Sequence, residues 1–269
     1  MVSRFGACEI NVLNTYRQRC RNPVSQQVHR LLTGVPAEYT EKIRFAASNN
    51  AGIFPATDET LDRFAQITMN ACRSIDILGV WRFLRLEESL QKKTCPNAAL
   101  TQPRAVEPYY HSLPWSSALA GKKVLVIHPF EKSIQAQYLK REHLFPSSDV
   151  LPEFELKTLR AIQSAAGNDV EFASWADAFE FMTSQIDQID FDIALIGAGA
   201  YGLPLAAHIR NLGKQAIHMG GAVQIFFGIK GGRWDENPKI NRFYNEHWVR
   251  PLPEETPAKS DGVEEGCYW

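Results

Sequence analysis

The chain offers neither a metal knuckle nor a disulfide framework. Its five cysteines, at positions 8, 20, 72, 95 and 267, form no C-x-x-C pair and fall at no zinc-ligand spacing with the seven histidines. Reduced thiols in a cytoplasmic compartment are the simplest account. Charge of one sign is also missing, because 29 basic residues stand against 30 acidic ones. That balance leaves no broad electrostatic footprint for nucleic acid or an anionic membrane. No run approaches the roughly 20 apolar residues of a membrane helix, and the N-terminus lacks the apolar segment of a signal peptide. The expectation is a soluble protein, at most peripheral to a membrane. No internal repeat is visible. A strand starting as early as Val2 would also fit a trimmed version of a longer parent chain.

What is present is a 269-residue chain, 45% hydrophobic, long enough to bury one large core. Residues 191–221 read in order as buried strand (Ile193 to Ile196), glycine turn, amphipathic helix (Leu203 to Leu212) and second strand (Gln215 to His218). Gly213 sits where a helix C′ residue is expected. Lys122 to His128, Ile75 to Trp81 and Asp169 to Ala173 read as further strands, and Val2 to Gly6 as a strand at the start. Thr57 caps a predicted helix running to about Ser74, and Pro152 to Ala166 and Trp175 to Gln188 read as two more. This alternation predicts a doubly wound, mostly parallel, Rossmann-like α/β sheet in one domain, residues 1–269. An irregular insertion is expected near 87–119, with one strand at Ala105 to Tyr110. A proline-rich tail, 251–269, ends in Cys267-Tyr268-Trp269 and is expected to dock back.

In an open parallel sheet ligands bind beyond the carboxyl ends of the strands. Four such places stand out. The turn Gly197-Ala198-Gly199-Ala200-Tyr201-Gly202 fits G-x-G-x-x-G, whose glycines let backbone approach a phosphate at a helix N-terminus. After the next strand comes His218-Met219-Gly220-Gly221, with no acid to hold a ribose, so NAD is not expected. His128, with Lys132 and Ser133 near a helix start, can donate to phosphate oxygens. Arg4 lies in the first strand and Glu9 follows it, and Arg4 pairs either with a phosphate or with Glu9 itself.

Three other segments carry suitable side chains. Asn49 and Asn50 form a turn or bind sugar hydroxyls, since amides both donate and accept. Arg233, in Gly228 to Trp234, belongs to a glycine-rich loop fit to close over a charged, ring-shaped ligand, and Glu246 is a further general-base candidate.

Val2 to Asn14 together with the Asp192 to Gly202 and Gly228 to Trp234 segments resembles the glycosyltransferases of the GT-D fold class, which use nucleotide-sugar donors. The resemblance implies transfer of a sugar from a nucleoside diphosphate donor to a hydroxyl of a glycan acceptor in surface polysaccharide or glycoprotein synthesis. That family carries a D-x-E acidic motif near its first strand. Here the Glu falls on Glu9 and the Asp position is Ala7, so a role for Mg²⁺ or Mn²⁺ on Glu9 stays open. Glu9 or Glu246 would act as base. Arg4, His128, Arg233 and the glycine turn would stabilise the leaving diphosphate. Two other readings compete: a non-catalytic protein that binds nucleotide-sugar or glycan, and an NAD-dependent oxidoreductase.

Overall fold

Seven strands in one all-parallel sheet organise the protein, whose computed structural model describes residues 1–81, 85–147, 149–263 and 266–269. In chain order the strands are β1 (Val2–Arg4), β2 (Ile77–Gly79), β3 (Ala99–Thr101), β4 (Lys123–His128), β5 (Glu155–Arg160), β6 (Ile193–Ile196) and β7 (Gln215–His218). They lie side by side as β3-β2-β1-β7-β6-β4-β5. The helices are α1 (Ala7–Arg19), α2 (Pro23–Thr33), α3 (Glu41–Phe45), α4 (Asp58–Cys72), α5 (Arg85–Thr94), α6 (Glu131–Tyr138), α7 (Trp175–Ile186), α8 (Gly202–Asn211), α9 (Ala222–Phe226) and α10 (Gly232–Asp235). The expected doubly wound, Rossmann-like architecture is present.

The continuous apolar runs of β4 and β6 follow from burial on both faces. Along β4, Leu125 and Ile127 enter one core while Val124 and Val126 enter the other. In β6, Ala194 and Ile196 face the first core and Ile193 and Leu195 the second. Helices α1, α4, α7 and α8 cover the first face; α6 and α9 cover the second. The chain therefore leaves neighbouring central strands towards opposite faces: β1 to α1, β7 to α9, β6 to α8, β4 to α6. Each such divergence opens a crevice at the strands' carboxyl ends.

Several sequence expectations need correction. The segment predicted as a helix over Pro152 to Ala166 holds β5, paired in register with β4 from Lys123↔Glu155 to His128↔Arg160. Leu156 and Leu159, three apart, mimic a helix face; in a strand the odd spacing sends them to opposite cores, as an edge strand between two layers requires. Asp169 to Ala173 forms no strand, since β5 already occupies that edge of the sheet. Ala105 to Tyr110 is two short 3₁₀ turns opened by Pro103 and Pro108, which cannot donate to a strand ladder. The stretch 87–119 is thus only partly irregular, because it contributes most of α5 and all of β3 to the main fold. Thr57 caps α4 as expected, accepting from the Thr60 N–H at 3.2 Å.

Candidate functional site

The carboxyl ends of β1, β7, β6 and β4 surround one cavity of about 280 Å³, near the lower end of the range for small-molecule sites. Among the residues singled out from sequence, Arg4, Glu9, Asn50, His128, Gly197, Gly199, Tyr201, His218, Gly220, Gly221 and Arg233 line it. Asn49, Ser133, Ala200, Gly202 and Glu246 stand outside its described walls.

Four of those five have other work. The carboxylate of Glu255, in the tail, accepts from the Lys132 N–H at 2.7 Å, from the Ser133 N–H at 3.3 Å and from the Ser133 hydroxyl. The α6 N-terminus, expected to meet phosphate, is filled by the protein's own carboxylate. Asn49 donates to the Gly262 carbonyl at 2.7 Å and to Asn50 at 2.8 Å, so it holds the tail. Ala200 is buried and its N–H is taken by the Ala51 carbonyl at 3.3 Å. Glu246 is 86% exposed beside His247 and faces solvent.

The glycine turn has a mostly steric explanation. A Cβ on Gly202 would sit against the His218 ring, and one on Gly197 would lie 2.6 Å from the His128 ring and 2.7 Å from the Gly220 carbonyl. Two glycines are therefore present because two histidine rings pack on their Cα atoms. Gly199 alone combines a positive φ of +50° with open space on the cavity side, its nearest neighbour being the Ala51 carbonyl at 3.4 Å. The N–H groups of Ala198 and Gly199 have no backbone acceptor among the described residues, and both residues line the cavity.

Gly202→Ala should accordingly destabilise the protein. The His218 ring is 6% exposed and tethered to Ser3 at 3.1 Å, so it cannot step aside for a methyl. Overpacking of this kind costs about 1–3 kcal/mol. A urea midpoint equal to wild type would show that the ring yields freely.

Both histidines are neutral at physiological pH. Burial pushes His128 down to about 3. Burial, followed by the positive charge of Arg4, does the same to His218. The Phe130 N–H donates to His128 Nδ1 at 3.0 Å, which places the ring proton on Nε2. His128 therefore offers its cavity a donor without a charge.

The positive charge comes from Arg4. Its guanidinium lies 5.4 Å from the Trp81 ring centroid, and its other side rests on Gly220, where a Cβ would approach within 3.2 Å. Held flat between an aromatic ring and a glycine of φ +60°, it makes no hydrogen bond or ion pair to any described residue. Arg233, by contrast, is committed to the wall: it lies over the Tyr268 ring at 4.8 Å and donates to Cys267 Sγ at 3.3 Å. Tyr201 is also structural. Its ring stacks on Trp175 at 5.1 Å, and its hydroxyl meets Ser164, which itself donates to the Gly52 carbonyl at 2.6 Å.

Glu9 sits in the first turn of α1, its carboxylate folded over Gly6 so closely that a Cβ there would collide with it. Among the described residues no cluster of three or more His, Cys, Asp or Glu is placed to hold a metal. A hard cation wants several oxygen ligands, and beside Glu9 most would have to come from a bound diphosphate and water.

Sequence reasoning missed Trp81, Phe130, Ser164 and Gln224 in the walls. Trp81 follows β2 closely, so the strand-end rule that found His128 would have found it. Ser164 was hidden because β5 read as a helix. Tyr268 and Trp269, whose docking the sequence anticipated, complete the rim, with the Tyr268 carbonyl accepting from Gln224 at 2.7 Å.

Compared with protein-family profiles, with characterised proteins and with solved structures, the chain matches none.

Proposed function

We propose that the cavity binds a nucleoside-diphosphate sugar and that the protein transfers the sugar to a hydroxyl of a glycan acceptor. The observation that carries this reading is Arg4: a guanidinium fixed between Trp81 and Gly220, open to the cavity and making no hydrogen bond or close ion pair to a described residue, with the Glu107 carboxylate as a more distant opposite charge. A half-buried guanidinium with free N–H donors is a ready partner for an anion entering the cavity. The N–H groups of Ala198 and Gly199 and the His128 Nε2–H add donors to the same space, a set suited to diphosphate oxygens. Trp81, Tyr268 and Trp269 add aromatic side chains to the walls, a composition suited to packing against a sugar or base. The resemblance of the first strand and the glycine turn to the GT-D class supports the same substrate.

In this reading the leaving diphosphate is stabilised by Arg4 and the amide donors, and Glu9 takes the proton of the acceptor hydroxyl. Mg²⁺ or Mn²⁺, if bound, would neutralise diphosphate charge with Glu9 as the one side-chain carboxylate lining the cavity among the described residues. No other step depends on it. A non-catalytic nucleotide-sugar binder is the second reading, favoured by Ala7 standing where the resembling enzymes have an acid.

Calorimetric titration with UDP, GDP, CDP and their sugar conjugates tests the site, comparing wild type with Arg4→Met. Methionine keeps the apolar stem on Trp81 and removes the charge. A charged hydrogen bond is worth about 1.5–3 kcal/mol, so one nucleoside diphosphate should bind wild type and lose roughly tenfold to a hundredfold in affinity. Equal affinity in the two proteins removes Arg4 from the site.

A further inference from the structure

Helix α2 is built inside out. Its apolar residues Val24, Val28, Leu31 and Leu32 follow the i, i+4, i+7, i+8 spacing of a single helical stripe. In a helix packed on a core this stripe would face inward. Here all four point outward, with Val24 75%, Leu31 81% and Leu32 80% exposed, and the helix buries no residue. It rests on the body through its polar side. The Gln26 amide donates to the Arg21 carbonyl at 2.9 Å and the Arg19 carbonyl at 3.2 Å, and Gln18 donates back to the Gln26 carbonyl.

Its ends are finished locally. Asn22 accepts from the Ser25 N–H at 2.9 Å, Pro23 opens the first turn and Gly34 closes the last at φ +72°. A helix of this length is marginal alone in water. This one nonetheless holds an apolar stripe away from the core.

The charge carried by the helix and the residues next to it in sequence is of one sign. Between Ile10 and Ala37 the sequence carries Arg17, Arg19, Arg21 and Arg30 and no acidic residue. Arg19 is answered by Asp58 and Asp62 from α4. Arg21 and Arg30 are exposed and have no acidic partner among the described residues. His29, on the half-buried side, is held below its ordinary value by burial and then by Arg21 and Arg17, which marks the local field as positive.

We propose that α2 is a membrane-surface anchor: its apolar stripe enters the headgroup region of an anionic bilayer while Arg21 meets lipid phosphates and Arg30, on another side of the helix, adds to the positive field that draws the anionic surface in. A second copy of the chain fits less well. A helix of eleven residues is about 16 Å long, and four side chains on it fall well short of the about 800 Å² per partner that a stable dimer buries. A twofold contact would also bring the arginines of each copy together. An anionic surface complements both the stripe and the charge. Helix α1 runs from the cavity wall at Ala7 to Arg19, next to α2, so the anchor lies beyond the end of α1 that is far from the cavity. The proposal does not depend on the identity of the cavity's ligand. No helix among the described residues is long and apolar enough to cross a membrane.

Co-sedimentation with phosphatidylcholine vesicles, with and without phosphatidylglycerol, tests this. The expected result is binding to the phosphatidylglycerol vesicles that weakens as salt rises. Leu31→Glu with Leu32→Glu should reduce the bound fraction about tenfold or more, since apolar burial supplies much of such binding. Arg21→Gln with Arg30→Gln should remove the preference for the anionic lipid. All four substitutions lie on exposed positions, so the melting temperature should not move. No sedimentation with phosphatidylglycerol vesicles, or equal sedimentation with both kinds, overturns the proposal. So does a dimer in light scattering that Leu31→Glu converts to monomer, since the stripe would then belong to a second copy.

Discussion

Acidification from neutral pH should destabilise this protein over a window to which two buried histidines contribute. His128 and His218 are both held down to about 3 inside the fold, while an unfolded histidine titrates near 6.5. Below about pH 6.5 the unfolded chain therefore binds protons that the folded protein refuses, and stability falls with pH until the folded rings titrate near 3. Each ring costs about 1.4 kcal/mol per pH unit within that window, so by pH 4.5 the pair removes on the order of 5 kcal/mol. That is comparable with the whole stability of many domains. Denaturant titrations at intervals between neutral pH and pH 4 read this directly. His218→Asn keeps an acceptor near Ser3 but cannot take up the proton when unfolded, so its stability should depend less steeply on pH by about one proton. Parallel curves for variant and wild type would mean that the His218 ring is already charged in the folded state. The same two rings explain why the cavity's charge rests on Arg4: histidines packed against Gly197 and Gly202 bring hydrogen-bond donors or acceptors but no cation at neutral pH.

The centre of the fold was legible because its physics is local. Ile193 to Ile196, Gln215 to His218 and the strand ending at His128 are short apolar runs between turn signals, and a strand covered on both faces has no other pattern to show. The edges were not legible for the same reason. In β5, Leu156 and Leu159 serve different cores, so their spacing suggests a helix until the second layer is known. Helix α2 carries a readable signature, an Asn22 cap, Pro23 in the first turn, a helical apolar stripe and Gly34 at its end, and what no local pattern reveals is that the stripe faces outward.

The site divides along a similar line. The strand-end rule located Arg4, His128, His218 and the glycine turn in one cavity, since topology alone brings those ends together. It misjudged Ser133 because no local pattern reveals that Glu255, 122 residues later, fills the α6 N-terminus. Nor could the sequence distinguish a glycine that admits a phosphate from one that admits a histidine ring. At Gly197 and Gly202 the ring is the stated neighbour, and only Gly199 keeps the other role open.

Glu9→Gln should leave the protein folded and its nucleotide affinity within about twofold of wild type, yet lower the rate of sugar transfer by roughly a hundredfold to ten-thousandfold, the usual contribution of a general base. Glutamine has the same shape, so it can occupy the space over Gly6 that the carboxylate now fills. It cannot accept a proton from an acceptor hydroxyl. Gly6→Ala supplies the companion test. Gly6 has an extended backbone that any residue adopts, and the atoms nearest to an added methyl all belong to the Glu9 carboxylate, so the substitution acts by displacing it. Transfer should fall there too, with the carboxylate chemically intact, which separates the position of the base from its presence. Transfer at the wild-type rate in Glu9→Gln would sink the assignment of Glu9 as base. If transfer is undetectable in wild type while the nucleotide sugar still binds through Arg4, the protein is the non-catalytic binder, and the loss of the acid at Ala7 becomes the reason. A collapse of the melting temperature in Glu9→Gln would instead make the carboxylate an anchor of the β1 to α1 turn, which the isosteric amide fails to hold.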